Sequence, residues 1–516
     1  MHIFIYGPPG TGKSTIGKKL ADNLKLPFID LDRVIEAKAG VSIPQIMETQ
    51  GEPAFRDLES LALKESVGHA SSVTVFALGG GALLRDENRE FAESNGQVVL
   101  LMAELPTLLD HLQNDPEKRP LLAGDLSSKL SALLEKRREH YDSFSTKINV
   151  NGLSAEEITF QMQVILGRHH LSAMGEYDVV VGQISDLTNF PMQNPILVTD
   201  ENVAKFHAEK IKALGFKSIV IPSGEEHKNL ETISILWKVF LETGLDRKST
   251  VIALGGGVVS DMTGFAASTY MRGVDWIAIP TTLLSMADAS LGGKTGFDLP
   301  EGKNLIGSFY PPKLVLVDPQ LLNTLPEAEL ISGMAEVVKH GIISDPELFN
   351  LCSRGLDYVK NNLEEIVKRA MAVKIKVIED DPYEKGFRAA LNLGHTVGHA
   401  VELVSKFKLR HGEAIAIGLV AEAKYSVRLG LATVGLVDAI IGTLKSLGLP
   451  TQIPESMPRE EIIRTMRVDK KKNAKAIRFA LPVEIGKVVL LDVTDLEAVL
   501  DDGRSTVYRL PSNEEQ

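Results

Sequence analysis

Cysteine is almost absent from this chain: Cys352 is the only one in 516 residues. One thiol cannot form an internal disulfide, and such sparse use of cysteine is typical of proteins in a reducing compartment. We therefore expect a cytoplasmic protein in which Cys352 is an ordinary buried thiol.

Long hydrophobic runs are missing as well. No stretch approaches the roughly 18 consecutive apolar residues of a membrane-crossing helix. The opening MHIFIYG lacks the basic start and the long apolar core of a signal peptide. We expect no association with membranes.

Positive charge is in short supply. The 56 lysines and arginines are outnumbered by 68 acidic residues, which leaves a formal net charge of −12 at pH 7. A field of this sign argues against loose binding to nucleic acid. If the ligands are small anions, the cations that bind them must be gathered locally.

The chain is long enough for several domains, and hydrophobic residues make up 44% of it. Residues 1–166 and 177–326 each alternate short β-like runs with helical patterns, which predicts parallel sheets flanked by helices. Residues 167–176 have no clear period and are predicted to be a linker. From residue 327 to 516 amphipathic patterns dominate. The predicted fold is therefore α/β multidomain: a first α/β domain, a Rossmann-like domain and a mainly α-helical domain.

A Gly-rich loop follows the first predicted strand. The run GPPGTGKS, from Gly7 to Ser14, matches the Walker A pattern in the context that it requires, between a strand and a helix. Its glycines let backbone N–H groups face phosphate oxygens, and the helix N-terminus adds its dipole. Lys13 is expected to reach the β- and γ-phosphates, and Ser14 to join the Mg²⁺ shell. The predicted ATP contacts here are Gly10, Gly12, Lys13, Ser14 and Thr15.

Two carboxylates and several arginines follow in the same segment. Asp30 and Asp32 end a second strand in PFIDLDRV, and a triple glycine, Gly79, Gly80 and Gly81, follows a third strand. The arginines are Arg56, Arg119 and Arg137. Each arginine taken singly is typical of solvated surface.

Taken together and in this order, these motifs of residues 1–166 resemble shikimate kinase. The resemblance implies that Asp30 supports Mg²⁺ and that Asp32 binds the substrate hydroxyls and is catalytic. It implies that the shikimate carboxylate is bound by arginines, and that a lid arginine meets the nucleotide phosphates. These roles map onto Arg56 and Arg137 for the carboxylate, Arg119 for the lid and Gly79, Gly80 and Gly81 for the substrate loop. Arg137 is preferred to Arg138 because it stands four residues before Tyr141. A gluconate-type or adenylate-type kinase is the alternative.

Three histidines crowd into LNLGHTVGHAVELVSKFKLRHGE, at His395, His399 and His411. The first two are four residues apart, on one helix face, as in H-E-x-x-H zinc sites. Thr396 stands where that motif has its catalytic glutamate, so the pair alone fits a metal site, an acid/base site or ordinary helix surface. A nitrogen from His411 and a carboxylate from Glu336 would complete a catalytic-type zinc shell.

Lysines gather in the same half of the chain. Lys294, Lys303 and Asn304 lie close to Asp288 among small residues, and Glu336 and Lys339 are one helical turn apart. The glycine turn at 254–257 taken alone is an ordinary structural turn.

Taken together with the glycine turn, these histidines and lysines make residues 177–505 resemble 3-dehydroquinate synthase. The resemblance implies a divalent metal, Zn²⁺ or Co²⁺, on Glu336, His395 and His411, whereas His399 contacts substrate near its phosphate. It implies NAD contacts at Asp200, Asn202, Glu225, Lys228, Gly256, Gly257, Asp261, Thr281, Thr282, Lys294 and Lys303. It implies substrate contacts at Asp288, Lys294, Lys339, Lys374, Arg388, Asn392, His399 and either Lys470 or Lys471. Of these, Lys294, Lys339, Arg388, Asn392 and His399 would be catalytic, as Lys13 and Arg119 would be in the kinase. Arg272 matches an arginine that reaches a partner subunit's site, which implies a homodimer.

The two resemblances imply a bifunctional enzyme of the shikimate pathway. One half would phosphorylate shikimate with ATP, and the other would convert 3-deoxy-D-arabino-heptulosonate 7-phosphate to 3-dehydroquinate and phosphate, with NAD reduced and then regenerated. A metal-dependent polyol dehydrogenase is disfavoured, because a neutral polyol needs no clamp of lysines. Another sugar-phosphate cyclase remains an alternative, as does a half that binds ligand without turnover.

Overall fold

The structure is a computed structural model that describes residues 1–114, 125–469 and 476–501. It divides into two compact units, Met1–His170 and Leu171–Gln516. Three predicted site residues, Arg119, Lys470 and Lys471, lie outside the described residues. No described helix is both long and apolar enough to cross a membrane.

The first unit is built on a five-stranded parallel sheet, as predicted. Its order is β2-β3-β1-β4-β5. The strands are β1 (His2–Tyr6), β2 (Phe28–Asp30), β3 (Val75–Ala77), β4 (Gly96–Met102) and β5 (Lys147–Asn149). The helices are α1 (Lys13–Leu24), α2 (Leu31–Ala39), α3 (Ile43–His69), α4 (Asp86–Asn95), α5 (Leu105–Gln113), α6 (Leu126–Lys136), α7 (Arg138–Asp142) and α8 (Ala155–Leu166).

Both faces of this sheet are covered, which explains the unbroken apolar run of β1. Ile3 and Ile5 pack in one hydrophobic cluster with α1 and α8, and Phe4 and Tyr6 pack in another with α2 and α3. In the register of the sheet, Ile5 and Asp30 both lie beside Ala77. The ends of β1, β2 and β3 therefore meet at one edge, where the motif residues follow.

The second sheet has seven strands in the order β6-β7-β14-β11-β10-β8-β9, and all of them except most of β6 belong to the second unit. The strands are β6 (Arg168–Leu171), β7 (Tyr177–Val181), β8 (Ile196–Asp200), β9 (Lys217–Ile221), β10 (Thr250–Gly255), β11 (Asp275–Pro280) and β14 (Leu314–Val317). Those from β7 onward pair in parallel. The chain leaves β9 on one side of β8 and enters β10 on the other, so the ends of β8 and β10 form the crevice that binds ligands in open α/β sheets.

The other elements complete a Rossmann-like part and a mainly helical part, as predicted. Two antiparallel hairpins are β12 (Lys294–Leu299) with β13 (Gly302–Phe309), and β15 (Ile477–Glu484) with β16 (Lys487–Val493). The helices of the sheet region are α9 (Glu201–Phe206), α10 (Ala208–Leu214), α11 (Leu230–Glu242) and α12 (Gly257–Thr269). Those of the helical part are α13 (Glu327–Ser344), α14 (Pro346–Ser353), α15 (Leu356–Asn361), α16 (Leu363–Asp380), α17 (His395–Val404), α18 (His411–Arg428), α19 (Val434–Ser446), α20 (Arg459–Asp469) and α21 (Leu496–Leu500).

Residues 167–176 were predicted to be a linker, but the structure has strand β6 within them. Gly167 ends α8 in the left-handed conformation (φ 62°), and β6 starts at the next residue. Beyond β6, the backbone N–H groups of Ser172 and Ala173 donate to a carboxylate oxygen of Glu379, at 3.0 and 3.1 Å. The run RHHL has too few apolar residues to show a strand period. The domain boundary at residue 326 stays a prediction.

Glycines let the backbones of α17 and α18 approach each other closely. A Cβ added at Gly418 in α18 would collide with the carbonyl oxygen of Gly394, the residue just before His395. Gly442 in α19 is exposed and faces open space. These two glycines therefore form a matched pair for substitution by alanine.

We expect Gly418→Ala to destabilise the second unit by about 1–3 kcal/mol, since overpacking must displace backbone. Gly442→Ala is expected to stabilise it by about 0.5–1 kcal/mol, because alanine suits a helix better than glycine. Denaturant unfolding followed through Trp237 and Trp276 measures both changes. Equal effects of the two substitutions would contradict the close approach of α17 and α18.

Candidate active sites

The loop between β1 and α1 has the geometry of a phosphate cradle. Gly7, Gly10 and Gly12 all have positive φ values (145°, 87° and 79°), which residues with side chains rarely adopt. The ammonium group of Lys13 donates to the carbonyl oxygen of Pro8 at 2.9 Å and so lies across the loop. Ser14 and Thr15 lie in the first turn of α1. The predicted Walker A loop is therefore formed.

The structure brings the predicted arginines together around the triple glycine. A Cβ at Gly81 would lie 2.6 Å from Nη2 of Arg56, so the glycine leaves room for that guanidinium group in this position. Arg137 Nη1 donates to the carbonyl oxygen of Gly80 at 2.7 Å, and the Tyr141 hydroxyl donates to the same oxygen at 2.8 Å. Arg137 is buried, whereas Arg138 is exposed and paired with Glu135. This placement favours Arg137 over Arg138.

The two carboxylates that follow β2 take different positions. Asp30 is the N-cap of α2, where it accepts a hydrogen bond from the Asp32 N–H at 3.1 Å. Asp32 Oδ1 lies 2.9 Å from the point where a Cβ of Gly79 would stand. Asp32 thus faces the triple glycine and the arginines, whereas Asp30 stays beside the start of α2.

Glu59 is a residue of this site that the sequence analysis missed. Its side chain is 1% exposed, and its Oε2 lies 2.7 Å from Arg56 Nη1. Its other oxygen lies, like that of Asp32, 2.9 Å from a Cβ built at Gly79. Burial raises the pKa of Glu59 to about 7, although Arg56 opposes the rise. The spacing of Arg56 and Glu59, three residues apart in a helix, was the available signal.

In the second unit, the buried Lys228, in the segment before α11, contacts α12 and β13 near the end of β10. Lys228 Nζ lies 2.7 Å from Asp261 Oδ2 and 2.6 Å from Asn304 Oδ1. Lys303 Nζ lies 3.5 Å from Glu225 Oε1. The predicted NAD residues of α12, of the segment before α11 and of β13 are therefore neighbours.

The remaining predicted NAD residues, apart from Lys294, border the crevice at the ends of β8 and β10. The Asp200 carboxylate ends β8 and caps α9, in whose first turn Asn202 is exposed. Gly256 caps α12, and a Cβ there would lie 3.2 Å from Thr282 Cγ2. Gly257 begins α12, and the backbone N–H of Thr281 donates to the carbonyl oxygen of Gly255 at 3.0 Å. This glycine turn at a topological switch fits a dinucleotide.

Glu336, His395 and His411 converge as the sequence predicted. One potential ligand atom from each lies within 4.8 Å of the others. Nε2 of His395 and Nε2 of His411 lie 3.3 and 3.5 Å from the same oxygen, Oε1 of Glu336. Both imidazoles thus point their Nε2 atoms at one buried carboxylate.

The hydrogen bond of Nδ1 determines whether Nε2 of each imidazole carries a proton or a lone pair. Nδ1 of His395 lies 3.1 Å from the Leu393 carbonyl, which can only accept, so Nδ1 carries the proton and Nε2 is left with a lone pair. Nδ1 of His411 lies 3.2 Å from Oε2 of Glu402. A carboxylate that orients a ligating imidazole in this way is a frequent feature of metal sites.

The pKa values of the two imidazoles and the donor atoms of the three residues bear on metal binding. Burial lowers the pKa of His395 to about 4. Burial also acts on His411, but hydrogen bonds with Glu336 and Glu402 prevail and raise its pKa to about 9. The low pKa of His395 keeps its imidazole neutral, as a metal ligand must be. Two imidazole nitrogens with a carboxylate form a donor set that suits Zn²⁺ or Co²⁺. The three residues fit a divalent metal.

Buried cations lie directly beside this group. Lys339 forms an ion pair with Glu336. Lys374 Nζ lies 2.9 Å from Asp288 Oδ1 and donates to the Asp288 carbonyl oxygen at 2.6 Å. Burial opposes the charge of Asp288, but Lys374 and Lys339 hold its pKa below the usual range. Asp288 lies in a π-helical turn, Ser285–Ala289, and such turns are frequent at functional sites. The expected local gathering of cations is present.

His340 was missed by the sequence analysis, and no spacing pointed to it. It is fully buried, with Nε2 3.9 Å from Asp288 Oδ1. Asp288, Glu336 and His340 also bring ligand atoms within 4.8 Å of one another. Glu336 is common to both groups, and Asp288 is already paired with Lys374, so the two groups do not form two independent metal sites.

Three further predicted residues belong to the loop after α16 and to α17. Arg388 is buried, and its Nη1 donates to the Pro382 carbonyl oxygen. Asn392 Nδ2 donates to Oε1 of Glu384 at 3.0 Å, a partner that the sequence analysis missed. The ring of His399 lies 5.1 Å from the ring of His395, centroid to centroid. Two other predicted residues, Lys294 and Arg272, are exposed.

Family models match most of the chain. Residues 9–166 match shikimate kinase, residues 218–332 match the 3-dehydroquinate synthase N-terminal family, and residues 333–472 match the C-terminal one. A 3-dehydroquinate synthase of Nostoc punctiforme is 46% identical over 310 residues, which cover 58% of this chain and 85% of that protein. The 3-dehydroquinate synthase of Shewanella pealeana is 41% identical over 356 residues, 65% of this chain and 99% of that protein.

Among solved structures, a similar one is 2-deoxy-scyllo-inosose synthase complexed with carbaglucose-6-phosphate, NAD⁺ and Co²⁺. It has a TM-score of 0.57 and 27% identity, and the match covers 63% of this chain and 96% of that one. The second unit therefore shares its fold with carbocycle synthases, and the first unit is a P-loop kinase fold. The chain belongs to the 3-dehydroquinate synthase family and carries a shikimate kinase domain in front of it. It is therefore an enzyme with a kinase part and a synthase part, both of which act on small molecules.

Because Glu402 orients His411, we expect Glu402→Gln to weaken binding of Zn²⁺ or Co²⁺ about tenfold to a hundredfold, as the loss of such a partner does in other metal sites. Competition with a chromophoric chelator measures the affinity. Glu455→Gln, at an exposed glutamate, is the matched control, and His411→Ala should weaken binding further. Equal affinity in Glu402→Gln and the control would contradict the orienting role.

Proposed function

We propose that the chain catalyses two reactions of the shikimate pathway. Residues 1–166 phosphorylate shikimate with ATP to give shikimate 3-phosphate. Residues 177–516 convert 3-deoxy-D-arabino-heptulosonate 7-phosphate to 3-dehydroquinate and phosphate, with NAD and a divalent metal. The observation that carries this proposal is the convergence of Glu336, His395 and His411 directly beside the buried cations Lys339 and Lys374, in one chain with a complete Walker A loop.

In the kinase part, binding and orientation account for most of the catalysis. The N–H groups of the Walker A loop and Lys13 hold the ATP phosphates, and Ser14 and Asp30 would hold Mg²⁺, which neutralises phosphate charge. Arg56 and Arg137 grip the shikimate carboxylate, since planar guanidinium groups match carboxylates. Asp32 then accepts the proton of the attacking hydroxyl group. Glu59 keeps Arg56 in its orientation through their ion pair.

In the synthase part, the dianionic phosphate and the carboxylate of the substrate need positive partners. Lys339, Lys374 and Arg388 supply these charges in a largely buried pocket, and exposed Lys294 adds a further one. Low local dielectric strengthens their attraction to the charge that develops on the departing phosphate. His399, beside the metal-binding imidazoles, can pass a proton at that phosphate. Asn392 and Asp288 hydrogen-bond to substrate hydroxyl groups.

The cofactor and the metal supply chemistry that side chains lack. NAD would be held by the residues around the ends of β8 and β10, and the metal by Glu336, His395 and His411. When they are bound, NAD accepts and returns a hydride, and the metal polarises a substrate oxygen. The protein's part is to fix the substrate against both and to exclude water.

Another sugar-phosphate cyclase is the second candidate function. The similar 2-deoxy-scyllo-inosose synthase shares the fold at 27% identity, compared with 46% for the Nostoc synthase. A metal-dependent polyol dehydrogenase fits less well, because Lys339 and Lys374 would have no anion to bind.

We also propose a cytoplasmic homodimer that binds neither nucleic acid nor membranes. The edge strand β13 exposes Leu305, Ile306 and Phe309 at 59%, 39% and 66%. An exposed apolar edge strand readily pairs with another chain. Nearby, Arg272 lies in a strained turn with φ 69°, and the Tyr310 hydroxyl after β13 donates to the Val274 carbonyl oxygen at 2.9 Å. A second copy that covers this surface would receive Arg272 in its active site.

The two activities can be tested separately in one chain. We expect Asp32→Asn to lower the kinase kcat about a hundredfold or more, since a general base contributes this much, and to leave phosphate release from the heptulosonate phosphate intact. Lys339→Met should do the reverse. Coupled assays for ADP and for inorganic phosphate measure the two rates.

Phosphate release by the unaltered chain should require both NAD⁺ and metal after chelation, with 3-dehydroquinate as product and no net NADH. Accumulation of NADH from simple polyols would favour the dehydrogenase. A different carbocycle as product would favour the second candidate.

If Arg272 acts across a dimer, co-expression of Arg272→Ala with Lys339→Met should restore about a quarter of the synthase activity, because half of the dimers then contain one complete site. Co-expression of Lys339→Met with Lys374→Met is the control and should restore none, since both lysines act in their own subunit. Equal recovery in the two mixtures, or none in either, would refute the exchange of Arg272.

A further inference from the structure

The loop that follows α16 is wrapped around one carboxylate, that of Asp381. Its Oδ1 accepts the backbone N–H of Lys385 at 2.9 Å. Its Oδ2 accepts the N–H groups of Gly386 at 2.7 Å and of Arg388 at 3.0 Å. Hydrogen bonds to an ionised acceptor are shorter and stronger than neutral ones. These bonds also hold the pKa of Asp381 below its ordinary value, with the bond from Lys385 the largest cause.

The aromatic side chains of this loop do little to hold its conformation. Tyr383 and Phe387, its two aromatic residues, are 69% and 44% exposed, so packing of these rings contributes little. Glu384 has a φ of 54°, a left-handed conformation that is unfavourable for a residue with a side chain. A strained loop persists only when surrounding interactions impose it, and the three backbone hydrogen bonds to Asp381 are interactions of this kind.

The loop contains Arg388, a proposed substrate contact, and Glu384, which binds the side chain of Asn392, another proposed substrate contact. The backbone N–H of Arg388 donates to Asp381. Its side-chain Nη1 donates to the carbonyl oxygen of Pro382 and lies 3.4 Å from Met174 Sδ. Glu384 accepts the Asn392 amide at 3.0 Å. The positions of Arg388 and Asn392 therefore both depend on how the segment 381–388 is folded.

We propose that Asp381 is a positioning residue of the synthase: its carboxylate gathers the N–H groups of residues 385, 386 and 388 and thereby sets the loop that presents Arg388 and Asn392 to the phosphorylated substrate. The inference rests on the proposed function, in which those two residues contact the heptulosonate phosphate. Asp381 itself acts only through the backbone that it orders.

Asp381→Asn is the direct test, because an amide nitrogen donates and cannot accept the bonds that Oδ1 or Oδ2 accepts. Asp380→Asn is the matched control: it removes the same charge from the adjacent residue, which is exposed and ends α16. Asp381→Ala removes all three bonds and should have the larger effect. All chains are full length and loaded with metal and NAD⁺.

We expect kcat/KM for the heptulosonate phosphate to fall about tenfold to a hundredfold in Asp381→Asn, as a displacement of about 1 Å can cause. The change should fall mainly on KM, since a loosened loop must be ordered by the substrate. Asp380→Asn should stay within about twofold of the unaltered chain, as surface changes usually do. In the absence of substrate, hydrogen–deuterium exchange of the peptide covering 381–390 should rise in Asp381→Asn and not in Asp380→Asn.

Each other result decides against the proposal. Unchanged exchange of that peptide in Asp381→Asn would show that the carboxylate does not order the loop. Increased exchange without a change in KM would show that the ordered loop does not serve the substrate. Increased exchange throughout the second unit would show a general structural role. Arg388→Met separates the two hypotheses: normal activity there would refute the proposed substrate contact, whereas exchange still reports whether Asp381 holds the loop.

Discussion

Buried charge is the constraint on which the synthase site depends. Lys339 is 1% exposed and Lys374 is 8% exposed, and each would be costly to bury without a partner. Glu336 and Asp288 provide those partners. Glu336 is at the same time approached by the imidazoles of His395 and His411, so one carboxylate links the cation cluster to the metal-binding group. The helix α13, the π-helical turn and the helices α16, α17 and α18 must all be in place before the whole network is formed. The charge network therefore binds its helices into one cooperative structure.

Close backbone approach is the second requirement, and glycine meets it in both units. Gly79 and Gly81 leave the space that Asp32 and Arg56 occupy, and Gly394, Gly398 and Gly418 let α17 lie against α18. In each case a chemical group gains its position because a neighbouring residue lacks a side chain. Oxygen acceptors then fix the final orientations: the Gly80 carbonyl holds Arg137, Glu402 holds His411, and Glu384 holds Asn392.

Residues that belong to a short sequence pattern could be predicted from the sequence. The Walker A loop, the pair Glu336 and Lys339 one turn apart, and the alternating strands and helices all belong to patterns that span only a few residues. Most residues missed are histidines or carboxylates whose partners are remote in the chain or depend on loop geometry. Glu384 meets Asn392 only because the loop turns back, and His340 meets Asp288 across 52 positions. Strand β6 escaped prediction because its period is hidden by two histidines. The ligand, substrate and catalytic roles given to individual residues came from the resemblance to the two families.

The junction after α8 limits where the chain can be divided. The helix ends at Leu166, a single left-handed glycine follows, and β6 starts at once. Ser172 and Ala173 then hydrogen-bond to Glu379, and Met174 lies against Arg388. A gene fragment that started at residue 177 would encode a sheet without its edge strand and an arginine without its neighbour. For anyone who wishes to express the synthase by itself, the usable start lies at Gly167 or earlier, so the two coding regions abut with almost no spare sequence between them.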